Sequence, residues 1–193
     1  MASSPVTKVT EEEYLALDRA AEVRSEFLDG EMWAMSGGSR WHSQLAMNFG
    51  SELHSALRGG NCRVFNSDLR VRVMPRRMYA YPDLTVVCGN VLLADNERDV
   101  LLNPTVIIEV LSPSTEKYDR GVKFQYYRTI ESVRDYVLVS QDHVRIEQFT
   151  RGESSTWTLR DYQSLEDQLK IESIGAAVPL SLIYDGVELP PFD

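Results

Sequence analysis

IIEVLSPSTEKYDRGVKFQYY, residues 107–127, carries an apolar strand, a polar corner and a helix in succession. Apolar and β-branched residues gather from Thr105 to Leu111, the pattern of a strand buried on both faces at the centre of a sheet. Pro113 cannot extend a strand ladder, and Ser114 or Thr115 can cap a helix over roughly 116–130. Glu109 sits inside the strand, on the same face as Ile107 and Leu111. A carboxylate buried there is costly unless it is paired or bound to a cation.

The nearest companion is Asp83, at the mouth of a second strand, DLTVVC (83–88), just after Pro82. Two carboxylates on neighbouring strands repel each other. A divalent cation removes that repulsion, and Mg²⁺ is often held by one or two carboxylates plus water and phosphate oxygens. Lys117 and Lys123 lie on the helix after the corner. Asp119 and Lys123 are spaced i, i+4 and can pair on one face; on a solvated face such a pair adds little.

Outward from this centre, Thr10 and Glu13 form a T-x-x-E capping box for a helix over 11–20. SEFLDGEMWAM reads as a hairpin turning at Asp29-Gly30. Ser39 caps a helix over 40–58 whose apolar residues Leu45, Phe49 and Leu53 fall at helical spacing, with His42 in its first turn near the inward face. Gly59-Gly60 ends that helix. CRVFNSDLRVRVM reads as one half-buried strand, with Leu69, Val71 and Val73 facing in and Arg70 and Arg72 facing out. RDYVLVS (134–140) is another buried strand, and HVRIEQFT and STWTLRDY form a C-terminal hairpin. The prolines of the tail, GAAVPLSLIY and VELPPF, mark irregular structure. The core order is helix, three strands, helix, strand, with a hairpin on either side: one α+β domain over 1–193, with helices packed on a mixed sheet.

With 193 residues, 43% of them hydrophobic and 25% charged, the chain is long enough for one sizeable core. No stretch approaches a membrane span and the N-terminus has no signal-like apolar run, so a cytoplasmic location is expected. Cys62 and Cys88 form no C-x-x-C and read as two buried free thiols. A net charge of −9 argues against bulk attraction to nucleic acid. Yet residues 61–82 set Arg63, Arg70, Arg72, Arg76 and Arg77 against the single acid Asp68, which is either a solvated hairpin face or a local basic face.

YPDLTVVC, followed by TVIIEVLSPSTEKYDRGVKFQYY, resembles the Uma2 family (DUF820), predicted bacterial endonucleases of the PD-(D/E)XK, or restriction-endonuclease-like, fold. EFLDGEMWAMSGGSRWH and SVRDYVLVS extend the resemblance over most of the chain. It implies that Asp83 and Glu109 ligate Mg²⁺, with Mn²⁺ as a possible substitute, and that the Val110 carbonyl is a third ligand. Leu111 stands where the pattern has its lysine; Lys123, from the following helix, matches the family in its place. Glu31 and His42 match recurring family positions, as outer metal ligand, water-orienting group or structural support. The implied chemistry is Mg²⁺-dependent hydrolysis of DNA phosphodiesters, with Lys123 orienting water, stabilising charge or, were burial to lower its pKa, acting as base. Arg70, Arg72, Arg76 and Arg77 would hold the DNA backbone. The family also suggests a homodimer or higher homo-oligomer, with the two hairpins as candidate interfaces.

Two other functions compete. One is a catalytically silent nucleic-acid- or protein-binding module on the same scaffold, since a fold does not fix an activity. The other is a serine hydrolase using Ser112 or Ser114, disfavoured because there is no G-x-S-x-G elbow and no tie to His42, His54 or His143.

Overall fold

The computed structural model describes residues 8–74, 77–94 and 96–189. Helix α1 (Glu11–Ala20) begins at the capping box: the Thr10 hydroxyl accepts from the Glu13 N–H at 3.1 Å and Glu13 accepts from the Thr10 N–H at 2.8 Å. Strands β1 (Ser25–Leu28) and β2 (Glu31–Ala34) turn at Asp29 and Gly30, with φ of 52° and 97°. Positive φ at both central residues is what a twisted two-residue hairpin requires. Helix α2 (Arg40–Ala56) is capped by Ser39, whose hydroxyl accepts from the His42 N–H.

Six strands then follow: β3 (Cys62–Asn66), β4 (Arg70–Val73), β5 (Met78–Ala80), β6 (Leu84–Cys88), β7 (Val100–Leu101) and β8 (Val106–Leu111). The crossover from β8 runs through α3 (Glu116–Tyr118), a π-helical turn (Asp119–Lys123) and α4 (Phe124–Tyr127) to β9 (Asp135–Ser140). Strands β10 (Ile146–Arg151) and β11 (Trp157–Tyr162) form the expected hairpin. Strands β12 (Gln168–Ile171) and β13 (Ala176–Pro179) and helix α5 (Leu180–Ile183) complete the chain.

The large sheet has the order β11-β10-β9-β8-β6-β3, with β8 antiparallel to β6 and parallel to β9. Helix, three antiparallel strands, helix and parallel strand is the core order expected above. Every residue of β8 and β9 is buried, as suits central strands. Alternation divides β8 between two cores: Ile108 and Val110 pack with Leu45, Phe49 and Leu53 of α2, while Ile107 and Leu111 pack with Tyr127, Val71 and Met78 on the other side. Glu109 therefore points to the second side, where the α3–α4 run and a smaller sheet, β2-β1-β5-β4-β7, close over it.

Three expectations need correction. The span 62–74 is two strands in two sheets, not one: the Asn66 side chain accepts from the Asp68 N–H at 3.1 Å, an Asx turn that ends β3 and redirects β4. Cys62 and Cys88 are not free thiols but form a disulfide. The antiparallel register places them directly opposite each other on β3 and β6, which a separation of 26 residues gave no way to foresee. The 176–183 tail is regular, because Pro179 falls at the last position of β13 and at the N-cap of α5, where no amide hydrogen is needed. No helix among the described residues is long and apolar enough to cross a membrane.

Candidate active site

Asp83, Glu109 and Lys123 line one cleft of about 490 Å³, delivered by three separate elements. Leu84 pairs with Ile108 in the antiparallel β6–β8 ladder, so Asp83, one residue earlier, comes level with Glu109. Asp83 is fixed by two neighbours: its Oδ2 accepts from the Val110 N–H at 2.7 Å and lies 3.3 Å from His42 Nε2. Gly38 packs against that imidazole so closely that a Cβ there would lie 2.8 Å from Nδ1, which pins the ring from behind.

Lys123 enters from the π turn, a helical irregularity frequent at functional sites. Its Nζ lies 3.0 Å from Glu109 Oε1, 3.0 Å from Glu26 Oε1 and 3.2 Å from Asp119 Oδ1. Tyr127 also donates to Glu109 Oε1, at 3.2 Å. The Asp119–Lys123 pair is thus buried, not a solvated surface pair. Glu26 is the residue that sequence reasoning missed. It is 4% exposed inside a hairpin strand, and nothing in the short run SEFL separates it from a solvent-facing glutamate. Glu31, matched to the family above, is exposed at the start of β2 and does not line the cleft. Trp33, the cross-strand partner of Glu26, does line it, packed edge-on against Tyr118 at 5.8 Å between ring centroids.

Burial pushes the Glu109 carboxyl well above the usual carboxylate range, and the charges of Asp119, Asp83 and Glu26 add to that; Lys123 opposes them. Burial alone would lower the Lys123 pKa, but Glu109, Glu26 and Asp119 outweigh it and hold the ammonium well above its usual value. That direction is opposite to the lowered pKa that a general-base role for Lys123 requires. Burial alone would lower the His42 pKa, but the bond to and charge of Asp83, the charge of Asp119 and a bond to the Val110 backbone together raise it.

Four carboxylates, Glu26, Asp83, Glu109 and Asp119, line this cleft against one lysine and one histidine. That excess of negative charge suits a divalent cation. Glu109 Oε2 and Asp83 Oδ1 accept no hydrogen bond among the described residues, so each strand offers one uncommitted oxygen. Val110 also lines the cleft, consistent with its carbonyl as a further oxygen donor. No three His, Cys, Asp or Glu side chains among the described residues form a closed metal cage. The donor set fits an open Mg²⁺ site completed by water and substrate oxygens.

Arg70, Arg72 and Arg77 are engaged elsewhere. Arg70 is 4% exposed and pairs with Asp18 at 3.0 Å and Asp99 at 2.9 Å. Arg72 and Arg77 both pair with Glu11 of α1. They clamp α1 to the small sheet rather than lining the cleft; Arg76 lies outside the described residues. Arg70→Met is accordingly expected to lower stability by about 3–5 kcal/mol, by leaving the buried Asp18 without its cation, whereas Asp99 keeps Arg19 at 2.7 Å; any oligonucleotide affinity should change less than twofold. Urea titration and fluorescence anisotropy check the two halves. Ser112 and Ser114 bond each other at 3.0 Å, and no described hydrogen bond joins either to a histidine.

Comparison with known proteins agrees with this architecture. A crystal structure described as "a putative nuclease belonging to DUF820" from Anabaena variabilis superposes with a TM-score of 0.75 at 16% identity, covering 91% of this chain and 97% of that one. Two proteins of Synechocystis sp. are similar in sequence. Uncharacterized protein slr1290 is 35% identical over 96% of each chain, and uncharacterized protein sll1609 is 33% identical over 80% of this chain and 88% of its own. The model of the Uma2 family, described as "Putative restriction endonuclease", matches residues 11–182, and the chain belongs to that family.

Proposed function

We propose that the protein is a Mg²⁺-dependent endonuclease that hydrolyses DNA phosphodiester bonds. The observation that carries this reading is the convergence of Asp83, Glu109 and Lys123, from β6, β8 and the π turn, on one cleft. The family description and the fold of the Anabaena protein support it. Asp83 and Glu109 would hold the cation, with the Val110 carbonyl beside them. When bound, the cation supplies Lewis-acid polarisation and a more acidic water. Lys123 keeps Glu109 oriented and places a permanent positive charge in the cleft, where charge grows on the phosphoryl oxygens. His42 orients Asp83 from the opposite wall.

Supercoiled plasmid incubated with the protein and Mg²⁺ or Mn²⁺ is the direct test. Cleavage by the wild type is expected, with a loss of about 100-fold or more in Asp83→Ala. A variant that cuts as fast as the wild type removes Asp83 from the site. A wild type that binds DNA but nicks none with either metal replaces the reading with a silent binding module.

A further inference from the structure

The cleft offers a phosphate backbone little charge to hold on to. Of the described residues that line it, Lys123 and His42 alone can be cationic, and four carboxylates face them. Lys123 is already shared by three of those carboxylates. Beyond the contacts of a bound metal ion, a phosphodiester needs a neutral contact to stay in place. Three aromatic side chains also line the cleft: Trp33, Tyr81 and Tyr118. Tyr81 is 3% exposed, and Tyr118 is half-buried against the core around Tyr127. Trp33 is 37% exposed and, unlike Trp157, packs into no hydrophobic core among the described residues. An indole is a large apolar side chain, and leaving so much of it in water forgoes the burial that usually stabilises it.

The hairpin sets the position of this ring. Trp33 pairs with Glu26 across β1 and β2, and directly opposed residues project to the same face. Glu26 reaches Lys123 Nζ at 3.0 Å, so the indole stands on the face that carries the lysine cluster. One ring separates it from the ammonium: Nζ lies 5.7 Å, and the indole 5.8 Å, from the Tyr118 ring centroid. The two rings meet at 82°, edge to face, so at least one indole face is left uncovered by Tyr118. We infer that Trp33 is a specificity-determining residue whose indole stacks on the base of a nucleotide flanking the scissile phosphate. Every base has a face that can stack in this way, and the contact needs no cation. The substrate class is a strand with a base free to leave its own stack, in preference to a phosphodiester without a base. The inference rests on the nuclease reading for the reaction, but base recognition is a binding claim and is read separately.

The probe is a labelled duplex interrupted by a run of unpaired thymidines, cut in Mg²⁺, together with copies in which one thymidine at a time is replaced by an abasic residue. In the wild type, an abasic residue at one position relative to the cut is expected to lower kcat/KM by about 10-fold. Trp33→Ala and Trp33→Leu, the second keeping apolar bulk without a stacking face, are expected to slow the intact probe by a similar factor and to erase the abasic penalty. Trp33→Phe is expected to keep most of the rate and of the penalty. A substitution that only disturbs Tyr118 and Lys123 slows intact and abasic probes alike and leaves the penalty in place; that result overturns the inference, as does a wild type with no penalty at any position. Should the wild type cut no probe, anisotropy of the same probes with Ca²⁺ decides. An abasic penalty on affinity that Trp33→Leu erases upholds base stacking while the nuclease reading falls. A penalty that survives the substitution, or a wild type that shows no penalty or no binding, overturns it.

Discussion

Lys123→Met is expected to lower the unfolding free energy by about 3–5 kcal/mol, because it removes the cation from a buried cluster without removing its anions. Lys123 is 6% exposed, and three carboxylates share its ammonium within 3.2 Å. For a domain of this length that loss corresponds to a melting temperature lower by about 10 °C or more. The carboxylates left behind ionise at increasing cost, so the folded variant binds protons more tightly than its unfolded chain. Its stability should therefore fall as pH rises above the ordinary carboxylate range, more steeply than that of the wild type. Urea titrations from acid to neutral pH read both quantities. A variant that melts within about 1 °C of the wild type, with the same pH slope, would show that the cluster contributes nothing to the fold.

Glu109→Gln is expected to do the opposite to stability while still destroying cleavage. The amide oxygen can keep the bonds from Lys123 and Tyr127 that Glu109 Oε1 now accepts. The negative charge that burial, Asp119, Asp83 and Glu26 all disfavour is gone. Because the carboxyl is raised in the folded state, its contribution to stability falls as pH climbs from the unfolded value of 4.5 toward the folded one. The variant should therefore match the wild type at low pH and exceed it at neutral pH, by about 1 kcal/mol or more. Plasmid cleavage in Mg²⁺ should drop by about 100-fold or more, since one of the two anionic ligands proposed above has become neutral. Gain in one quantity with loss in the other is the signature of a carboxylate kept for chemistry at the expense of the fold. A Glu109→Gln protein that is less stable than the wild type at pH 7 would remove that interpretation.

Much of this site was legible because its chemistry conflicts with its surroundings. A glutamate inside VIIEVL and an aspartate opening LTVVC contradict the apolar runs they interrupt, and both reach the cleft. Lys123 could be named only through resemblance, since its i, i+4 spacing from Asp119 equally describes a surface helix. Glu26 was hidden because a four-residue strand is too short to reveal which face is buried. The arginines misled for a related reason. Alternation in LRVRV fixes two faces, but not which carboxylates another element brings up against them, and here Glu11, Asp18 and Asp99 meet them. Cys62 and Cys88 needed the ladder register, a long-range property that sequence spacing does not contain.

The π turn at Asp119–Lys123 makes the length of this segment matter more than its composition. A π turn amounts to one extra residue accommodated within an α-helix. Deleting a single residue there would let the helix regularise with its hydrogen bonds intact, so the backbone would object little. It would also rotate the downstream segment by about 100° relative to the upstream one. Lys123 would then be carried away from Glu26 and Glu109, and Tyr127 away from Glu109. A small side chain at Gly121, where an added Cβ meets nothing within 4 Å, should pass unnoticed where one-residue indels are lethal to the site.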